Sequence, residues 1–133
     1  MKNLTKNQLF FALLSIVLTT LFFYMLNNCI SNQHWKSIYI LAFAFGALMF
    51  INGLINGYFD AERLQRIDIS FRYHLITFMV VNCIHLGCVL IANSFFNFTN
   101  VFIATFFWSI GLFFHYLYSR KTIKGYAAEE LFD

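Results

Sequence analysis

The chain has 133 residues, of which 60% are hydrophobic and only 11% are charged, whereas about 25% of the residues in an average soluble domain are charged. This composition excludes an ordinary water-soluble domain and indicates a membrane protein. The formal charge of +3 does not indicate a nucleic-acid partner, because the basic residues share their short segments with the acidic ones.

Charged residues divide the sequence into apolar segments, and a membrane-spanning helix needs about 20 residues of this kind. The first two segments, which meet at Lys36, have room for one helix each, and the third, between Arg72 and Arg120, has room for two. Asparagines in NSFFNFTN, at 93–100, predict the turn between those last two helices. We therefore predict helices near residues 8–28, 37–58, 72–93 and 100–119.

The positions of the basic residues predict the orientation of these helices. Eight of the nine Lys and Arg residues lie on one side, and Lys36 lies on the other. We predict an all-α, polytopic membrane protein with four transmembrane helices in two antiparallel hairpins and both termini cytoplasmic. All six Asp and Glu residues fall outside the predicted helices. The predicted units are a first hairpin at 1–58, a cytoplasmic loop at 59–71, and a second hairpin with a short tail at 72–133.

A layer of polar residues is predicted inside the membrane, near the cytoplasmic ends of the helices. His74 lies early in the third helix and His115 late in the fourth, so antiparallel helices put both at a similar depth. Polar groups in hydrocarbon are costly and usually face the interior of a bundle. Their simplest role is to join helices by hydrogen bonds. The layer consists of Asn52, Asn56, Arg72, His74 and His115.

A second group of residues predicts the seam between the third and fourth helices. Trp108 lies near the middle of the fourth helix, on one face with Gly111. A buried indole N–H needs an acceptor, and Asn82 and His85 of the third helix lie at a comparable depth. No metal site is predicted beside His85, because the nearest cysteine, Cys83, points about 200° away around a helix.

Small residues form a ridge on the second predicted helix. The ridge consists of Gly46, Gly53 and Gly57, and GLING at 53–57 has the G-x-x-x-G spacing that lets two helix backbones approach closely. Two interpretations remain open, namely packing within one bundle and formation of a homo-oligomer.

The second hairpin contains FRYHLITFMVVN at 71–82 and FFWSIGLFFHYL at 106–117. Over residues 69–131 this pattern resembles the bacterial 2TM domain family, which has a His and then an Asn in its first helix and a W-x-x-G-L-x-x-H-like signature in its second. The family occurs as small standalone membrane proteins and as a membrane module of sensor histidine kinases, so the resemblance implies a membrane module in a bacterial inner membrane. The matching residues are His74, Asn82, Trp108, Gly111 and His115.

The sequence contains no nucleotide-binding loop, catalytic triad or metalloprotease helix. We therefore predict a small non-enzymatic inner-membrane protein that acts through a protein partner or through self-assembly, as a sensor or accessory module. Its expected partners are the lipid bilayer, a second copy of the chain, and a membrane or cytoplasmic protein.

Two alternatives use the same polar layer. The first is a small oligomeric channel or transporter subunit with a pore lined by Asn52, Asn56, His74 and His115; proton movement is disfavoured there because no predicted helix contains Asp or Glu. The second is a haem-binding electron carrier in which His74 and His115 ligate the iron, with Arg72 and Lys121 near the propionates.

Overall fold

The structure, a computed structural model, describes residues 4–64, 69–91 and 97–125. These residues form four α-helices, each long and apolar enough to cross a membrane, which confirms the prediction of four such helices. Parts of the predicted 59–71 loop, of the 93–100 turn and of the C-terminal tail lie outside the described residues. The helices are α1 (Lys6–Ser31), α2 (Trp35–Leu64), α3 (Ile69–Ile91) and α4 (Phe98–Gly125).

The C-terminal end of α2 differs from the prediction. The helix continues through Leu64, whereas residue 58 was the predicted end. The added segment, FDAERL, contains good helix formers and no Gly or Pro, so nothing local stops the helix. The segment that can span a membrane runs from Trp35 to Asp60. Contrary to the expectation that the helices contain no acid, α2 therefore carries a carboxyl group at the end of its apolar segment.

A capping box fixes the start of α1. The Thr5 hydroxyl oxygen accepts a hydrogen bond from the Gln8 backbone N–H, and the Gln8 side-chain oxygen accepts one from the Thr5 N–H. These two bonds satisfy backbone donors that have no partner within the first helical turn. The first residues of α1 are therefore held in a defined position, which matters for the site described below.

The helices pack around α3, which contacts α1, α2 and α4, and α1 also packs against α2. Phe11 of α1 meets the ring of Tyr73 edge-on, with centroids 4.8 Å apart. Residues spaced three or four apart share a face of a helix, and the buried face of α1 follows this spacing. Its members are Gln8, Phe11, Ser15, Thr19 and Phe23.

The bundle has a polar interior and an apolar exterior. Three of the five buried residues of α1 are polar, and large aromatic side chains such as Phe43 and Phe107 are exposed. A soluble protein has the opposite distribution, because apolar side chains are the ones that water drives inside. The distribution suits a bundle whose outer surface contacts lipid, where buried polar groups hold the helices together.

Candidate functional site

The site is centred on Asp60, whose side chain is 1% exposed. Its Oδ2 accepts hydrogen bonds from the Thr5 hydroxyl at 2.6 Å and from the Tyr73 hydroxyl at 2.9 Å. Its Oδ1 accepts one from the Asn7 side-chain amide at 2.8 Å. One carboxyl group of α2 thus joins the start of α1 to α3.

The three donors to Asp60 among the described side chains are all neutral groups. An ionised carboxylate in a medium of low dielectric constant is costly unless its oxygens are hydrogen-bonded. Hydrogen bonds to a charged acceptor are roughly twice as strong as those between neutral groups, so Thr5, Asn7 and Tyr73 can stabilise the charge without a basic side chain. Polar residues that are buried at membrane depth are in general candidates for function.

The Tyr73 hydroxyl lies between two acceptors. It is 2.9 Å from Asp60 Oδ2 and 3.0 Å from the backbone carbonyl oxygen of Asn56. A phenol has a single hydrogen to donate. The hydroxyl can therefore donate to one acceptor in one arrangement of the site and to the other in a second arrangement.

Asparagines continue the hydrogen-bond network along α2. The Asn56 amide donates to the backbone and side-chain oxygens of Asn52, both at 2.9 Å. The Asn52 amide in turn makes longer contacts, 3.4 Å to the Ser15 hydroxyl and 3.5 Å to the Phe11 carbonyl of α1. Because Asn52, Asn56 and Asp60 are spaced by four residues, they share one face of α2. That face meets α1 and α3.

Two buried polar atoms of α1 have no hydrogen-bond partner among the described residues. They are Gln8 Nε2 and Thr19 Oγ1, and both side chains are fully buried. Such atoms are uncommon in folded proteins. Together with Ser15 they make the face of α1 towards the other helices unusually polar for a membrane bundle.

The residues of the predicted polar layer fall into two groups. Asn52 and Asn56, 5% and 6% exposed, belong to the network around Asp60. His74 and His115 lie together between α3 and α4, with ring centroids 4.7 Å apart. Arg72 is half-buried at the start of α3. The layer is therefore divided between the interior of α1–α3 and the contact of α3 with α4.

The distance between the two histidines bears on the haem alternative. Two axial imidazole nitrogens each lie about 2 Å from a metal on opposite sides, so the ring centroids are about 6 Å apart. The rings of His74 and His115 are closer than this, at 4.7 Å, so both side chains would have to move apart to ligate one iron. The side chain of Lys121 lies outside the described residues.

The predicted seam residues of α3 pack against two different helices, α4 and α1. The Thr105 hydroxyl of α4 donates to Asn82 Oδ1, and Trp108 packs edge-on against Phe78. These contacts lie between α3 and α4. His85 instead stacks on Phe23 of α1, with centroids 4.9 Å apart.

The predicted glycine positions differ in their packing. A Cβ atom at Gly53 would lie 3.8 Å from the Phe11 ring, so this glycine contributes to the packing of α1 on α2. A Cβ atom at Gly46, Gly57 or Gly111 would meet nothing within 4 Å. Gly46 and Gly111 are exposed, so they do not pack helices within the described bundle.

The centre of the network was not predicted from the sequence. Asp60 was assigned to a loop, and Tyr73 and the cap residues Thr5, Asn7 and Gln8 were not considered. Two patterns could have located them, namely the T-x-x-Q capping box and the spacing of Asn52, Asn56 and Asp60. Both patterns place polar groups on helix faces that end at the same end of the bundle.

No family model, curated protein or solved structure matches this chain. The fold indicates a membrane protein, because four of its helices are able to span a membrane by their length and composition. The likeness of residues 69–131 to the 2TM domain family remains a prediction.

Proposed function

We propose that this chain is a small non-enzymatic membrane protein that acts by self-association, as a sensor or accessory module to which a partner protein responds. It lies in a bacterial inner membrane, with its helices in two antiparallel hairpins and both termini in the cytoplasm. The observation that carries the proposal is the position of Gly46 on the outer surface of α2.

Glycine at position 46 destabilises α2, and no contact among the described residues compensates for this loss. Glycine inside a helix is about 1 kcal/mol less favourable than alanine, and a Cβ atom at this position would meet nothing within 4 Å. Ala42, one turn earlier, is also exposed. Small residues spaced by four let the backbone of a second membrane helix approach closely. The pair Ala42 and Gly46 thus supplies such a surface for another chain.

α4 offers a second surface of the same kind. It packs against α3, and its outward residues include Ala104 and Gly111. These residues are seven apart and so lie on nearly the same face of the helix. The 2TM-like hairpin would then contact a neighbouring chain through α4, in keeping with the membrane module that the resemblance implies.

The association surface can be tested with a pair of matched variants. Gly46→Leu fills the close-approach position, whereas Ala44→Leu adds the same side chain at an exposed position about 200° around α2. Energy transfer between labelled chains in lipid vesicles measures association. Gly46→Leu should weaken it at least about tenfold, which corresponds to about 1.4 kcal/mol, and Ala44→Leu should leave it unchanged. Equal association of wild type and Gly46→Leu would contradict the proposed surface.

A second candidate function is a channel or transporter subunit, and buried Asp60 favours it. Asn52 and Asn56 face the interior of one chain, so a conducting path would run among α1, α2 and α3 rather than between copies. The test is proton or potassium flux into vesicles for wild type and Asp60→Asn. Flux that requires Asp60 would support this function, and absence of flux in the wild type would reject it.

A further inference from the structure

The hydrogen bonds of Tyr73 suit two protonation states of Asp60. When Asp60 is ionised, the Tyr73 hydroxyl donates to Asp60 Oδ2, 2.9 Å away. When the carboxyl group carries a proton on Oδ2, that oxygen becomes a donor and needs an acceptor. The Tyr73 oxygen is in place to accept, provided that its own hydrogen turns to another acceptor. The Asn56 carbonyl oxygen, 3.0 Å from the hydroxyl, is that acceptor.

We propose that Asp60 is a reversible proton-binding site and that Tyr73 changes its acceptor when the proton binds. A proton from the aqueous phase forms an O–H bond at Asp60 Oδ2, and the site gains one positive charge. That O–H then donates to the Tyr73 oxygen, and the Tyr73 O–H rotates to donate to the Asn56 carbonyl. No other covalent bond forms or breaks, and the reverse steps return the proton to water.

Both states satisfy the buried hydroxyl groups. A buried donor without an acceptor costs about 1–3 kcal/mol, and such a cost would normally oppose protonation of a buried carboxylate held by donors. Here the proton on Asp60 and the hydrogen of Tyr73 have acceptors in either state. The carbonyl of Asn56 can accept the extra bond because a carbonyl oxygen has two lone pairs. The two arrangements differ by a hydroxyl rotation and leave the helix backbones in place.

Protonation changes how firmly α1 is held. Thr5 and Asn7 donate to the same carboxyl group, at 2.6 Å and 2.8 Å. Bonds to an ionised acceptor are roughly twice as strong as bonds to a neutral one, so both weaken when Asp60 gains a proton. The start of α1 is therefore the part of the bundle that responds to the proton.

In the part of the chain whose side chains the structure describes, the charged and titratable residues next to the donors of Asp60 lie on α1 and α3. On α1, Lys6 lies between the two donors in sequence and is exposed. On α3, Tyr73 contacts the carboxyl group directly, and the half-buried Arg72 precedes it. The change of charge proposed for the site is the protonation of Asp60. Proton binding at Asp60 does not depend on association between chains.

Infrared difference spectroscopy of the full chain in lipid vesicles tests the proposal, between about pH 4 and pH 8. A protonated carboxyl group has a carbonyl stretching band that an ionised one lacks. The samples are wild type, Asp60→Asn, Tyr73→Phe, and Glu62→Gln as a control that removes a different carboxyl group. Isotopic labelling of aspartate in the wild type assigns a band to aspartate without any substitution, and circular dichroism checks that each variant retains its helices.

The expected result is a pH-dependent acid band that Asp60→Asn removes and Glu62→Gln retains. In Tyr73→Phe the band should move to higher frequency, because the carboxylic acid has lost its hydrogen-bond acceptor. If the wild type has no aspartate acid band that depends on Asp60, the proton-binding site is rejected. If the band is present but has the same frequency in Tyr73→Phe, the exchange of acceptors by Tyr73 is rejected.

Discussion

The hydroxyl group of Thr5, the residue that caps α1, donates a 2.6 Å hydrogen bond to the carboxyl group of Asp60, 55 residues later in the chain. The same hydroxyl oxygen accepts the backbone N–H of Gln8. One side chain thus stabilises the first turn of a helix and also connects that turn to α2.

Replacement of Thr5 by Val should lower the free energy of unfolding by about 2 kcal/mol. Loss of the helix cap contributes about 1 kcal/mol, and loss of the donor to a buried carboxyl group contributes about the same again. Thr20→Val is the matched control, because the exposed Thr20 hydroxyl donates only to a carbonyl of its own helix. Denaturant unfolding in detergent micelles measures both. Equal losses for the two variants would contradict the role of Thr5.

The four helices could be predicted because a membrane-spanning helix requires only an apolar segment of sufficient length. The first two apolar segments between charges are each long enough for one helix that crosses the hydrocarbon core, and the third is long enough for two. The structure has four helices of this length. The end of α2 could not be located in this way, because the rule treats a charged residue as the end of an apolar helix. Asp60 remains inside the bundle because three hydrogen-bond donors, from the start of α1 and from α3, stabilise its charge. Sequence composition does not report such tertiary partners.

Replacement of Asp60 by Leu should destabilise the bundle by about 3 kcal/mol. The three donors lose their common acceptor, and an unsatisfied buried polar group costs about 1–3 kcal/mol. Asp60→Asn keeps one acceptor oxygen and should cost less than half as much. Thermal unfolding followed by circular dichroism compares the two variants. A Leu variant as stable as the Asn variant would show that the carboxyl group does not hold the helices.

Replacement of Tyr73 by Phe should lower the free energy of unfolding by about 1 kcal/mol, which is typical for the loss of one buried hydrogen bond. The ring contact with Phe11, at 4.8 Å, is retained in this variant. Tyr39→Phe removes the same hydroxyl from a side chain that is 78% exposed, so it should have no measurable effect. Unfolding in the same detergent tests both, and a neutral Tyr73→Phe would argue against a structural role for the hydroxyl.

The bond between Thr105 and Asn82 should couple α4 to α3. Hydrogen bonds between membrane helices average about 0.6 kcal/mol in double-mutant cycles, and we expect this value for Asn82→Ala combined with Thr105→Val. Ser109→Ala is the control, because the Ser109 hydroxyl donates to the carbonyl of Thr105 within α4. Its coupling to Asn82→Ala should be close to zero. A coupling of zero for Thr105 as well would show that this bond does not stabilise the packing of α4 on α3.

Helix faces were easier to predict than the neighbours that they meet. The spacing of residues within a helix decides which side chains point the same way, and His74 and His115 do lie together. The spacing does not decide which other helix packs on that face. His85 of the third helix was predicted to face Trp108 of the fourth helix, but it stacks on Phe23 of α1. Which helices meet is a property of the bundle as a whole and is not encoded in the pattern of any single helix.

The most direct test of self-association is the native mass spectrum of the wild-type protein released from detergent. The proposed self-association predicts a defined oligomer, with a mass that is a whole multiple of the 15.7 kDa chain. The multiple should fall to one in Gly46→Leu and persist in Ala44→Leu. A wild-type spectrum with only the 15.7 kDa monomer, under conditions that preserve a known membrane dimer of similar size, would contradict the proposed function.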